Sequence, residues 1–156
     1  MLPFALVASS FSFLSALFHG IVILKFDSYT YGLRRGYNKF RWWEYSISSS
    51  IMIGLISMLF GIYDMVTLFA IMSVNAAMNL FGLLFEVSNF YLRDSGNTEV
   101  DWQAYNYGGY AGLVPWISLL APLVFSPIID EIPTFVWGIL FTYIFFFNTF
   151  PVNMYL

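Results

Sequence analysis

Charge placement is what most constrains this chain. Its charged residues, 6 Lys plus Arg and 9 Asp plus Glu, fall in clusters that leave five long stretches without any. Residues 2–24 carry no formal charge with His19 neutral, and neither do 45–63, 65–85, 102–129 and 132–156. Each stretch reaches or exceeds the roughly 18 apolar residues that mark a candidate membrane-spanning helix. Composition supports the same reading. The chain is 60% hydrophobic and 10% charged, whereas soluble domains run nearer a quarter charged. So few charges cannot coat a soluble domain of 156 residues, and so apolar a chain is not disordered. An aromatic share of 22% suits a lipid-facing or cofactor-lined bundle.

Other classes fall away on simple counts. With no cysteine there is no disulfide framework, no thiolate metal site and no Cys nucleophile. A net charge of −3 argues against nucleic acid, which calls for a basic patch. The one histidine has no partnered nucleophile and no metal-ligand spacing, so neither an enzyme nor a metal site is expected. The first apolar stretch is too long for a secretory signal and is followed by further spans. The expected fold is all-α, a multi-pass membrane helical bundle in one transmembrane domain. Its spans lie at about 2–25, 43–63, 65–92, 108–129 and 132–156. Met1 and Leu156 both border or end apolar segments, so the domain is expected to be truncated at both ends.

Lysine and arginine in the connections set the orientation. Lys25, Arg34, Arg35, Lys39 and Arg41 follow the first span, and Arg93 closes the third, while the turns near Asp64 and near Asp130 and Glu131 have no basic residue. The positive-inside rule therefore places loops 26–41 and 94–108 in the cytoplasm. The 26–41 loop is also aromatic, through Tyr29, Tyr31, Tyr37, Phe40, Trp42 and Trp43, as expected of a headgroup-level belt. The acidic 94–108 loop reads as a solvated connection. Gly108 and Gly112 open the fourth span with a close-packing step, and Pro115 and Pro122 are expected to kink it.

Polar residues inside the spans carry the functional information, because each is costly there. Ser12, Ser15 and His19 form one helical stripe; Glu44, Ser48 and Met52, beside Ser49, form a second. Asn75, Met78 or Asn79, Gly82, Glu86 and Asn89 form a third. Counting at about 1.5 Å per residue from Lys25, Arg41 and Arg93 brings His19, Glu44 and Glu86 to similar depth on the cytoplasmic side. Together with Arg41 they make a candidate proton-handling cluster. Simpler roles stand beside this one: His19 bonding neighbouring polar groups, Glu44 pairing with Arg41 at the interface, and Met52 and Met78 as ordinary packing.

The run Arg41-Trp42-Trp43-Glu44-Tyr45-Ser46-Ile47-Ser48-Ser49-Ser50, with Met52, resembles the third helix of heliorhodopsins, retinal proteins of inverted topology. The resemblance extends to Ser15 and His19 before it, to Asn75, Met78, Gly82 and Glu86 after it, and to Pro115-Trp116. It covers the chain as helices two to six of seven. It implies that Glu44 is the counterion of a protonated retinal Schiff base. It also implies that Ser15, His19, Ser48, Ser49, Met52, Asn75, Met78, Gly82 and Trp116 line the pocket of all-trans retinal, and that Glu86 is an embedded cytoplasmic-side carboxylate. The function implied is light sensing with movement of the Schiff-base proton, in a bilayer and as a homodimer, with no signalling partner specified. The family's Schiff-base lysine lies on the seventh helix, and the only lysines here are Lys25 and Lys39, so this chain has no such residue. A small proton or ion transporter using His19, Glu44 and Glu86 without a chromophore is the alternative.

Overall fold

The computed structural model describes residues 4–125 and 133–155, and every regular element among them is helical. The elements are α1 (Phe4–Leu24), α2 (Phe26–Arg34), α3 (Lys39–Leu59), α4 (Met65–Asp94), α5 (Gln103–Phe125) and α6 (Thr134–Tyr155). Two compact units are present, residues 1–120 and 121–156. The second contains the end of α5 and the aromatic α6, in which Phe145 and Phe146 meet edge to face. Asp130 and Glu131 lie outside the described residues.

Long helices follow from the uncharged stretches, but their ends are set by capping rather than by charge. The Asn38 side chain accepts from the Arg41 backbone N–H at 3.1 Å and starts α3 four residues before the expected span. The Asp64 carboxylate accepts from the Thr67 N–H at 2.8 Å and from its hydroxyl at 2.7 Å, which starts α4. The Asp101 carboxylate accepts from the Gln103 N–H at 2.9 Å, so α5 begins ahead of Gly108. The helix then runs unbroken through Pro115 and Pro122.

The 26–41 segment departs from a simple loop, because Phe26–Arg34 is helical and turns 87° from α1. Gly36, at φ +80°, then reverses the chain, with the Tyr37 N–H donating to the Gly32 carbonyl. Buried Gly32 lies flat against Tyr37, and the Tyr29 ring meets Phe40 at 6.1 Å. These contacts hold a helix that nine residues alone would not sustain.

The core of the first unit is the α3–α4 pair. Trp42, Ile53 and Ile56 of α3 are buried, as are Leu68, Ile71 and Phe85 of α4. Gly54 lets Met72 approach so closely that an added Cβ would stand 2.9 Å from its sulfur. Buried hydroxyls are satisfied within α3 itself: Ser50 donates to the Ser46 carbonyl and Ser57 to the Ile53 carbonyl. Gly108 of α5 rests on α4, where an added Cβ would lie 3.0 Å from Phe81 Cβ, which is the close approach expected of that glycine step. The acidic connection is tied down as well as solvated, because the Asn89 amide exchanges two hydrogen bonds with the Asp101 backbone.

Among the described residues, Met65–Asp94 is the single helix long and apolar enough by itself to cross a membrane, and Ser9–Leu24 with Phe26–Arg34 qualifies as a bent pair. The serines of α3 and the Gly, Asn and Gln residues of α5 lower those helices' hydropathy. Polar groups of that kind belong on surfaces that face other helices or a polar interior.

Candidate functional site

Polar chemistry concentrates where α3 meets α4. At one end the Arg41 guanidinium pairs with Glu86 Oε1, and the Asn38 backbone N–H donates to Glu86 Oε2 at 2.8 Å. Both carboxylate oxygens are thereby used. The depth count placed His19, Glu44 and Glu86 at one level, with Arg41 added to their cluster; the structure joins Arg41 to Glu86, while Asn38, three residues before Arg41, went unnoticed. Its signal was present as an Asn just ahead of a helical run, which is a capping residue by type.

Further along, Ser49 is a hub with its whole bonding capacity filled. Its hydroxyl donates to the Tyr45 carbonyl at 2.6 Å and accepts from Asn75 Nδ2 at 2.7 Å and Asn79 Nδ2 at 2.9 Å. A hydroxyl has one donor and two acceptor sites, so nothing is left over. Asn75 Nδ2 also reaches Ser50 Oγ at 3.3 Å, and Asn79 Nδ2 donates to the Asn75 carbonyl. Both asparagines are buried. Asn79 thus contributes directly, where position 78 or 79 had been equally open.

Glu44 lies between these two clusters in sequence and is half-buried. Among the described residues its carboxylate has no hydrogen-bond or ion-pair partner, because Arg41 is held by Glu86. Pairing of Glu44 with Arg41 is therefore not what the structure shows. His19 is a separate local arrangement on α1. Its Nδ1 lies 2.7 Å from the Ser15 carbonyl and 3.5 Å from the Ser15 hydroxyl. A carbonyl can only accept, so Nδ1 carries the proton in this contact. No hydrogen bond joins His19 to Glu44 among the described residues, although α1 packs on α3.

The remaining candidates are placed as follows. Ser48 is half-buried on α3, and Met52 is 38% exposed. Met78 is half-buried on α4, and Trp116 half-buried on α5. Gly82 faces Trp42: a Cβ there would stand 2.2 Å from the indole ring. Trp42 is 1% exposed, so it is a core residue socketed in Gly82 rather than part of the interfacial belt, whereas its neighbour Trp43 is 50% exposed, as a belt residue should be.

The residues fit part of a retinal site. A half-buried carboxylate without a bonded cation can face a cationic group, and the Ser49, Asn75 and Asn79 cluster supplies a fixed polar wall beside it in sequence. The covalent anchor is not among these residues. Lys25 caps the start of α2 and Lys39 begins α3, both exposed at helix ends.

No curated protein matches the chain. The family model described as heliorhodopsin matches residues 1–156, the full length given. Heliorhodopsins are membrane retinal proteins and are not known as an enzyme class. The chain belongs to the heliorhodopsin family.

Proposed function

We propose that this chain forms the counterion side of a light-sensing retinal pocket and is not an enzyme. The observation that carries the proposal is Glu44, a half-buried carboxylate left without a cation while Arg41 is committed to Glu86. In this reading the five long helices each cross the bilayer, with residues 26–41 and 94–108 on the cytoplasmic side. Ser15, Ser48, Ser49, Met52, Asn75, Met78, Gly82 and Trp116 bound the cavity. Bound all-trans retinal would supply light absorption and isomerisation.

The residues of the chain divide the remaining work. Glu44 holds a positive charge in a setting where an unpaired charge is costly. The Ser49, Asn75 and Asn79 network keeps α3 and α4 in register, so that Glu44 stays at a fixed depth. His19, held by its Nδ1 bond to the Ser15 carbonyl, takes or returns a proton at Nε2. The Arg41 and Glu86 pair closes the cytoplasmic end of the α3–α4 seam.

The test is spectroscopic. Membranes in which residues 1–156 are joined to a seventh helix that supplies a retinal-bearing lysine, loaded with all-trans retinal, should show a visible band that cycles after a flash. His19→Ala should change the rise or decay of the deprotonated photointermediate. Absence of a visible band, with light-independent proton flux through the same vesicles, would replace the photoreceptor with a transporter. Unchanged kinetics in the His19 variant at every pH would remove histidine from the proton path.

A further inference from the structure

The cationic end of the molecule contains a helix whose geometry the retinal reading does not use. Helix α2 is turned 87° from α1, so a membrane-spanning α1 lays α2 in the plane of the headgroups. Tyr29 and Gly32 face the body of the protein through Phe40 and Tyr37. Phe26 and Leu33, at i and i+7, flank Tyr29 along the helix and are 60% and 46% exposed. The helix is therefore pinned through Tyr29 and Gly32 and keeps an exposed apolar edge beside the pinned residues, as expected of an interfacial helix.

Lys25 precedes α2, Arg34 ends it, and Lys39 follows two residues after Tyr37. All three are exposed, and none has an ion pair among the described residues. Asp27 is the one acidic residue between Lys25 and Lys39. Arg35 is engaged differently, with its guanidinium 4.1 Å from the Tyr31 ring centroid and 5.2 Å from that of Phe90. The Thr30 hydroxyl is used internally, donating to the Phe26 and Asp27 carbonyls. Lys39 Nζ also lies 5.4 Å from the Phe40 ring centroid. What remains is a set of exposed cations without carboxylate partners among the described residues, near an apolar edge and at headgroup depth.

We propose that α2, with Lys25, Arg34 and Lys39, is a docking surface for anionic phospholipid, taking the phosphates on its cations and the upper acyl chains against Phe26 and Leu33. Basic residues near a membrane surface favour anionic lipid individually and add up over a cluster. The surface does not depend on retinal, on the proton path or on which leaflet α2 occupies.

The full chain in symmetric vesicles of phosphatidylcholine with a minor fraction of phosphatidylglycerol provides the test. Spin-labelled phosphatidylglycerol and phosphatidylcholine report which lipid is held at the protein boundary. The wild type should retain phosphatidylglycerol severalfold more strongly. The double variant Lys25→Gln with Arg34→Gln should reduce that preference by about fivefold or more, Arg34→Lys should keep it, and about 1 M salt should abolish it. Circular dichroism establishes that the variants stay helical. A wild type without preference, a double variant with full preference, or a preference indifferent to salt would each overturn the proposal. Capture of an acidic soluble protein without any lipid preference would overturn it too.

Discussion

Arg41 and Glu86, on different helices and 45 residues apart, form the one ion pair among the described residues. The pair closes one end of the α3–α4 seam and withholds Arg41 from Glu44. Arg41 is 35% exposed and Glu86 13%, so the pair is neither a surface contact of negligible worth nor a fully desolvated one. Glu86→Gln keeps an acceptor for the Asn38 N–H but removes the charge that holds Arg41. It is expected to lower unfolding stability by about 2 kcal/mol, with Glu86→Ala costing more. Equal stability of all three proteins in thermal unfolding would show that the pair holds nothing together.

Gly82 provides a packing test. An added Cβ would sit 2.2 Å from the Trp42 ring, and Trp42 is buried at 1% exposure with little room to retreat. Overpacking of this kind costs about 1–3 kcal/mol. Gly82→Ala should fall in that range and should alter Trp42 fluorescence, whereas Gly109→Ala, with nothing within 4 Å, should be close to neutral. Comparable losses at the two positions would contradict the socket.

Ser49 tests the polar seam. Ser49→Ala leaves donors on Asn75 and Asn79 without their common acceptor. Interhelical bonds in membranes average about 0.6 kcal/mol, and two are lost, so a destabilisation of about 1 kcal/mol is expected. Ser73→Ala, elsewhere on α4, should have little effect. If Ser49→Ala is silent in unfolding measurements, the hub is incidental to helix pairing.

Much of this architecture was legible in the charge pattern. Gaps between charges pointed to an all-helical bundle, while depth counting grouped His19, Glu44 and Glu86 and did not single out the Arg41 and Glu86 pair that the structure contains. Helix α2 was not legible, because nine residues containing Gly32 have weak intrinsic helicity and depend on Tyr37 and Phe40 for support. Trp42 was misplaced for a related reason. An aromatic run beside basic residues looks the same whether a ring faces lipid or core, and only Gly82, forty residues away, decides it. Whether Glu44 was paired also could not be read locally, since Arg41 stands within one turn of it and yet bonds elsewhere.

Acid should weaken one helix start selectively. Asp64, in the turn before α4, has its carboxyl held below its ordinary value by the Thr67 hydroxyl and the Thr67 N–H. A carboxyl lowered on folding contributes stability above its unfolded value, and that contribution is lost as pH falls through the lower, folded value. Asp64→Ala should therefore be less stable than wild type at neutral pH, with the gap closing below about pH 4. A gap independent of pH would show that the ionised cap is not what stabilises this end of α4.

The central claim is that Glu44 is the anion facing the retinal cation, and its absorption spectrum tests that most directly. With a seventh helix joined on to supply the retinal-bearing lysine, wild type and Glu44→Gln are loaded with all-trans retinal and titrated with base while the visible band is recorded. Removing the charge takes away the stabilisation of the cationic chromophore. The account predicts a visible band that is shifted or lost at neutral pH in the variant, with its titration moved to lower pH. A spectrum and titration identical to wild type would contradict it.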